Sequence, residues 1–252
     1  MLIKLDKSNV IEFTETPWNT KVFGFKTNEI TNIHYTNEQH LNELFKEFEK
    51  FSCNNNYQFT GIRISPEKLL LRKQLNEIGY IQVETGFELT KRFNSLKYSK
   101  PLLDPKIELR IIDKNDIKDI VEITKVTFNH GRFFEDPNIS LQLAIERNIN
   151  WVIDLCESRN VFIGVFDSVV FGFLGFENNR DISTLQLGGV KDTFKFLAYP
   201  FWLKSFLLLR ELYNINGFKT RISAYNLPII ALYNYFGFVY KSVFIGFHKF
   251  RN

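Results

Sequence analysis

Apolar residues recur along the chain in two rhythms, one helical and one alternating. Between residues 39 and 51, Leu41, Leu44, Phe45, Phe48 and Phe51 fall at helical spacing, and Asn54-Asn55-Asn56 predicts the turn that follows. Tyr57, Phe59, Ile62 and Ile64 predict a strand over 57–64. Pro66 suits a first helical turn, so a helix is expected to open there, carry Leu69, Leu70, Leu71 and Leu75, and stop at Gly79. A strand over 80–90 comes next. Residues 93–106 hold Asn94, Ser95, Ser99, Pro101 and Pro105 with no apolar period and read as a linker.

A second series starts at Ile107-Glu-Leu-Arg-Ile, a strand. Asp113 is placed to cap a helix reaching about Phe128, with Ile117, Ile120, Val121 and Val126 facing inward. A loop over 129–140 and a helix over 140–157 follow. Val161–Phe166, Val169–Phe176 and Ile182–Val190 predict three strands. After them come a helix over 200–214, a strand at Lys219–Ala224, a helix at Pro228–Phe236 and a last strand at Phe238–His248. Leu75-Asn-Glu-Ile-Gly-Tyr-Ile and Tyr233-Asn-Tyr-Phe-Gly-Phe-Val both read as a helix end, a glycine and a strand. This weak repeat hints at two related domains.

Composition narrows the classes. A chain of 252 residues holds one large domain or two modest ones. With 44% hydrophobic and 24% charged residues it is no disordered chain, and Gly 13 with Pro 7 excludes a collagen-like or low-complexity one. The net charge of +4 is spread without a basic stripe, which argues against a nucleic-acid partner. Cys53 and Cys156 stand alone, so two reduced thiols are expected rather than a metal site or a disulfide framework. The apolar run from Phe194 to Tyr213 is broken by Lys195, Lys204 and Arg210 and is no membrane span. The charged start predicts no signal peptide. A soluble, cytoplasmic protein is the expectation, and 27 Phe residues fit either a large core or a homodimer interface.

One stretch carries more than periodicity. Asn226-Leu-Pro-Ile-Ile-Ala-Leu-Tyr-Asn-Tyr-Phe-Gly-Phe resembles the closing motif of the GNAT superfamily of acyl-CoA-dependent N-acyltransferases: Asn226, then Ala231-Leu232-Tyr233, then Gly237-Phe238. Thr16-Pro-Trp-Asn-Thr-Lys-Val-Phe-Gly-Phe resembles the opening of the dTDP-fucosamine N-acetyltransferase group within it. Phe128-Asn-His-Gly-Arg-Phe-Phe-Glu-Asp-Pro-Asn-Ile resembles its middle. The resemblance implies an α/β GNAT fold with a mixed sheet. A partial GNAT-like domain would span 1–92, a linker 93–106 and a complete GNAT domain 107–252.

It also implies acetyl transfer from acetyl-CoA to the amine of a nucleotide-linked sugar, with no metal. Another small-molecule amine, or a non-catalytic ligand-binding protein, stays open. Direct attack needs a base for the amine, donors for the acyl oxygen and an acid for the departing thiolate. The resemblance gives the acid to Tyr233; packing beside Leu232 also accounts for that residue. It gives the oxygen to backbone near Gly188, Gly189 and Val190, where Gly-Gly equally ends a strand. Asn226 serves the coenzyme or caps a helix. The phosphate loop departs from the family pattern: Lys195, Ala198 and Pro200 stand there, and Pro200 has no N–H. On the acceptor side Arg132 suits a phosphate and Asp136 a sugar hydroxyl or the amine. Phe133, with Trp18 and Phe23–Phe25, suits a pocket wall. His130 and Glu177 are candidate bases.

Overall fold

A computed structural model describes residues 1–95 and 106–251 of the chain. Most of the predicted linker, residues 96–105, lies outside the described residues. The fold is mixed α/β, with eleven strands and seven α-helices among the described residues. It divides into two compact units. Unit one comprises Met1–Gly86, Gly131–Leu143 and Val243–Asn252, and unit two Phe87–His130 and Ala144–Ser242. A single cut at 93–106 does not anticipate this division, because two later segments pack with the N-terminal part.

Unit one contains β1 (Leu2–Lys4), β2 (Val10–Glu15), β3 (Lys26–His34) and β4 (Tyr57–Ile64), with α1 (Pro17–Phe23), α2 (Glu38–Asn54) and α3 (Leu69–Glu77). The first halves of β5 (Ile81–Arg92) and the second half of β11 (Val239–Phe250) complete its sheet, in the order β1-β2-β3-β4-β11-β5. β3 and β4 are parallel, whereas β11 lies antiparallel to β4 with His248 opposite Gly61. α2 forms as its spacing predicts. Asn37 caps it by accepting from His40 N, and Leu41, Leu44, Phe45 and Phe48 are buried along one stripe. They pack with Ile30, Ile62, Leu75, Tyr80 and Phe247 in one apolar core. Pro66 does not open α3. The helix begins at Leu69, after a turn closed by Lys68 N donating to Ser65 O.

Unit two contains β6 (Glu108–Ile111), β7 (Val161–Phe166), β8 (Val169–Asn179), β9 (Ile182–Val190) and β10 (Gly217–Ser223). Its helices are α4 (Ile117–Thr127), α5 (Leu141–Glu157, most of it), α6 (Ala198–Tyr213) and α7 (Leu227–Tyr235). Asp113 caps a short 3-10 turn that leads into α4. Ile120, Ile123 and Thr124 face the core, but Val126 is 74% exposed. Six residues beyond Ile120 it is turned about 240° around the helix, so an inward Val126 is corrected by helical geometry itself. β7, β8 and β9 form antiparallel neighbours, and β10 runs parallel to β9. Phe162, Phe171, Phe176, Phe201, Phe206 and Phe218 build the main core of this unit.

Gly164 is a tight spot in that core. A Cβ there would lie 2.8 Å from both Phe171 and Phe201. Gly164→Ala is therefore expected to destabilise the protein by about 1–3 kcal/mol, the usual cost of overpacking. Urea unfolding checks this; an unchanged midpoint would mean the two rings move aside freely.

Candidate functional site

The candidate site of unit two begins with a break in strand pairing. β9 and β10 pair through Ile182–Gly217, Ser183–Phe218 and Thr184–Lys219, and no further. β9 nevertheless runs on to Val190 and β10 to Ser223. From Leu185 onward, β9 is laddered to β8 on one side, with Gly188 opposite Leu174 and Gly189 opposite Phe173, and lacks a strand on the β10 side. Backbone groups inside a sheet seek partners. Thr220, the first residue past the last pair, donates its hydroxyl to Leu185 O at 3.2 Å.

Tyr233 lies at this parting. Asn226 caps α7 by accepting from Ile229 N, and Pro228 sits in the first turn. The helix thereby turns Leu232 and Tyr233 into the core. Tyr233 is 3% exposed, packs on Phe238 with ring centroids 4.6 Å apart, and has its hydroxyl pKa pushed up to about 12 by burial. The Trp202 indole and the Thr220 hydroxyl act on the phenol in the opposite sense. Trp202 Nε1 is buried and has no hydrogen-bond partner of full geometry. Its ring also abuts Gly188, where an added Cβ would meet Cζ2 at 3.0 Å. At Gly189 an added Cβ would meet Thr127 Cγ2 at 2.7 Å. Both glycines are thus held by close packing.

The remaining unit-two candidates are less gathered. Val190 belongs to the same core as Tyr233. Lys195 is exposed and paired with Asp192 at 3.1 Å. Ala198 donates its N–H to Lys195 O, and Pro200 is buried in the first turn of α6. Glu177 is exposed on β8 and accepts from Gln186 Nε2. His130 is half-buried just before the chain enters unit one.

The acceptor-side candidates all lie in unit one. Arg132 is buried and its fork is taken: Nη1 and Nη2 donate to the two carboxylate oxygens of Glu29 at 2.9 and 2.8 Å. Asp136 accepts from His248 Nδ1 at 2.7 Å, with neither side chain exposed. Phe133 lies against Phe59, Phe23 and His248. Phe23 also stacks on Phe25. Trp18 is 43% exposed on α1. The sequence reading missed Glu29, Arg63, Glu84 and His248. Arg63 Nε donates to Glu84 at 2.8 Å in the same group. The signal for His248 was a polar residue inside the apolar run Phe244-Ile-Gly-Phe-His.

The electrostatics of this group are set by burial and pairing. Burial raises the pKa of Glu29, but the Arg132 guanidinium outweighs it and holds the carboxyl down at about 2. His248 is pushed down to about 4, chiefly by burial and against the pull of Asp136. A neutral His248 must donate from Nδ1, since the carboxylate only accepts. Its Nε2 is then an acceptor, and it is buried with no partner.

No protein-family model matches the chain. A GCN5-related N-acetyltransferase from Sphaerobacter thermophilus superposes with TM-score 0.65 over 96% of this chain and 76% of its own, at 11% identity. The chain has the GNAT fold. A tandem GNAT protein from the clavulanic acid biosynthesis pathway superposes with TM-score 0.58 over 89% of this chain and 75% of its own, at 12% identity. A curated relative, the spore coat polysaccharide biosynthesis protein SpsD of Bacillus subtilis (strain 168), is 21% identical over 95% of this chain and 83% of its own length. Among the described residues no helix is long and apolar enough to cross a membrane, and no group of three or more His, Cys, Asp or Glu side chains is arranged to hold a metal ion.

Both lowered pKa values bind stability to pH in one direction. Below its ordinary 6.5, an unfolded His248 takes a proton that the folded one refuses down to about 4. Below 4.5 an unfolded Glu29 does the same down to about 2. The unfolded chain binds more protons in both windows, so stability falls as pH falls. The loss is expected to begin near pH 6.5 and to reach about 3 kcal/mol from His248 alone. Urea midpoints at pH 7.5, 5.5 and 4.5 measure it, and a flat series would place a charged imidazole in the fold.

Proposed function

We propose that this chain is an acyl-CoA-dependent N-acetyltransferase. In this reading it moves an acetyl group from acetyl-CoA to the amine of a nucleotide-linked amino-deoxy sugar, a cytoplasmic building block of a surface polysaccharide. The observation that carries the reading is the parting of β9 and β10 beside the Tyr233 phenol. The name of the SpsD relative supports the polysaccharide destination, and the resemblance of Phe128–Ile139 to the fucosamine N-acetyltransferase group supports the nucleotide sugar.

The residues fit the two ends of the donor unequally. At the thioester end, the strand edge of Leu185–Val190 offers donors. Of Gly188, Gly189 and Val190, those whose backbone N–H groups point away from β8 would hold the acyl oxygen as negative charge develops. Tyr233 would keep its proton until a thiolate takes it, since a phenol with a pKa near 12 is fully protonated at neutral pH. The N–H of α7 that Asn226 takes up is no longer free for a ligand. At the phosphate end the fit is poor. The Lys195 charge is shared with Asp192, Ala198 N is spent on Lys195 O, and Pro200 has no N–H. This departure favours a second reading, a GNAT-fold protein that binds an amine or sugar nucleotide without transferring an acyl group. A different small amine as acceptor keeps the chemistry unchanged.

Thiol release from acetyl-CoA, measured against a panel of dTDP- and UDP-amino sugars, tests the transfer. Tyr233→Phe is expected to lower kcat by about 10²–10⁴-fold with little change in the KM for the sugar, as for a positioned acid. An unchanged kcat would make Tyr233 a packing residue. Calorimetry with acetyl-CoA separates the second reading, for which no heat is released even at millimolar coenzyme.

A further inference from the structure

The indole of Trp202 is a buried donor that the fold leaves without a well-formed hydrogen bond. Trp202 lies on the core side of α6, and its Nε1 has no partner of full geometry. A buried N–H left unmet is costly, and a phenylalanine in its place would leave no such orphan. The ring is held on two sides. It packs edge-on against Phe201, with centroids 5.2 Å apart and an interplanar angle of 85°. Its Cζ2 lies 3.0 Å from where a Cβ on Gly188 would stand. Cζ2 and Nε1 are bonded to one shared ring carbon, so the N–H sits beside the edge that meets β9.

The polar group next to it is the Tyr233 phenol. The Trp202 indole and the Thr220 hydroxyl are both hydrogen-bonding neighbours of that phenol. Thr220 carries one hydroxyl proton and gives it to Leu185 O at 3.2 Å. Only lone pairs of Thr220 Oγ1 remain for the phenol, so they accept the phenol's proton and leave its oxygen to face the indole N–H. The groups come from α6, α7, β9 and β10, and all belong to unit two. Tyr233 has no freedom to swing to another partner, since its ring is buried against Phe238.

We infer that Trp202 is a positioning residue that works through Tyr233: its Nε1–H stands beside the phenol oxygen and completes a hydrogen bond when that oxygen gives up its proton. The inference rests on the acetyl-transfer reading for the use of the phenol as an acid. In that step the C–S bond of the adduct breaks, sulfur keeps the electron pair and takes the Tyr233 proton, and a phenolate remains. The proton lost by the amine returns to the phenolate through solvent. Burial opposes the step. It pushes the phenol up to about 12, well above the ~8.5 of a thiol, so an unaided transfer runs uphill. A phenolate in an apolar core gains more from a donor than a phenol does, because a hydrogen bond to a charged acceptor is the stronger kind. The bond is incomplete with the phenol and complete with the phenolate, and such a difference accelerates a step instead of tightening the ground state.

The test reads the indole directly. The 15N-labelled full chain has three tryptophans, so three indole N–H cross-peaks are expected, and Trp18→Phe and Trp151→Phe assign that of Trp202 by elimination. Tyr233→Phe removes the phenol oxygen and keeps the ring. The Trp202 cross-peak is expected to move upfield in that variant while those of Trp18 and Trp151 stay. A Trp202 cross-peak unmoved by Tyr233→Phe overturns the proposal. A second measurement places 3,5-difluorotyrosine at position 233, which brings the ionisation into an accessible pH range, and follows it by absorbance. Trp202→Phe is expected to raise that midpoint by about 1–2 pH units, the worth of one hydrogen bond to a charged group. An equal or lower midpoint overturns the proposal, since water entering a loosened core would produce it. If Trp202→Phe does not fold, the cross-peak alone decides. Both measurements are made without acetyl-CoA, so either failure leaves acetyl transfer to the thiol-release experiment.

Discussion

Two parallel strands that stop sharing hydrogen bonds partway along are the constraint on which unit two turns. Beyond Thr184 and Lys219, β9 keeps its ladder to β8 and loses the one to β10. An unpaired strand edge in the middle of a sheet is unfavourable unless something else meets it. The structure meets only its first carbonyl, with the Thr220 hydroxyl. Trp202, Thr220 and Tyr233 converge from α6, β10 and α7, so three elements share the work of holding the parting in place. Tight glycine contacts fix β9 itself: at Gly188 against Trp202, at Gly189 against Thr127. A larger residue at either position would displace the strand.

Unit one solves a different problem. It buries ionised side chains, which is tolerable only in pairs with good geometry. Arg132 meets Glu29 through both arms of its fork, and His248 meets Asp136 edge-on. The chain makes an excursion for this purpose, since Gly131–Leu143 packs with unit one although the residues on either side belong to unit two. Two buried contacts, at Arg132 and Asp136, tie that excursion down. Cutting Arg132 would strand Glu29 as an uncompensated buried charge, a larger loss than the pair contributes.

The sequence made the elements legible and left their partners hidden. α2, α5, α7 and the three strands from Val161 to Val190 follow from spacing and caps, because each is specified by residues within one or two turns of each other. The strands before residue 38 escaped, being short and heavily polar: β3 reads Lys-Thr-Asn-Glu-Ile-Thr-Asn-Ile-His. Val126 misled because an apolar residue near a helix end looks inward until the turn angle is counted. Arg132 and Asp136 stood out as chemistry, yet their partners lie 103 and 112 residues away. No local pattern links positions so distant.

In the proposed reading, the balance between catalysis and mere binding comes down to the two ends of the coenzyme. An exposed lysine already paired with a neighbouring aspartate gives little to a phosphate, as solvent screens it and Asp192 competes for it. A helix start whose early N–H groups are spent or missing gives little more. Affinity from that end is therefore small. At the other end the site is built from backbone and from buried groups that cannot relax, and such preorganised donors count for more than surface charge in stabilising a developing oxyanion. If the coenzyme is held mainly by its thioester arm, weak ground-state binding and effective transfer are compatible, because only interactions that strengthen as the acyl oxygen gains charge accelerate the chemistry. Under the proposed transfer, a degenerate phosphate loop would bear on KM and would leave Tyr233 in position to act.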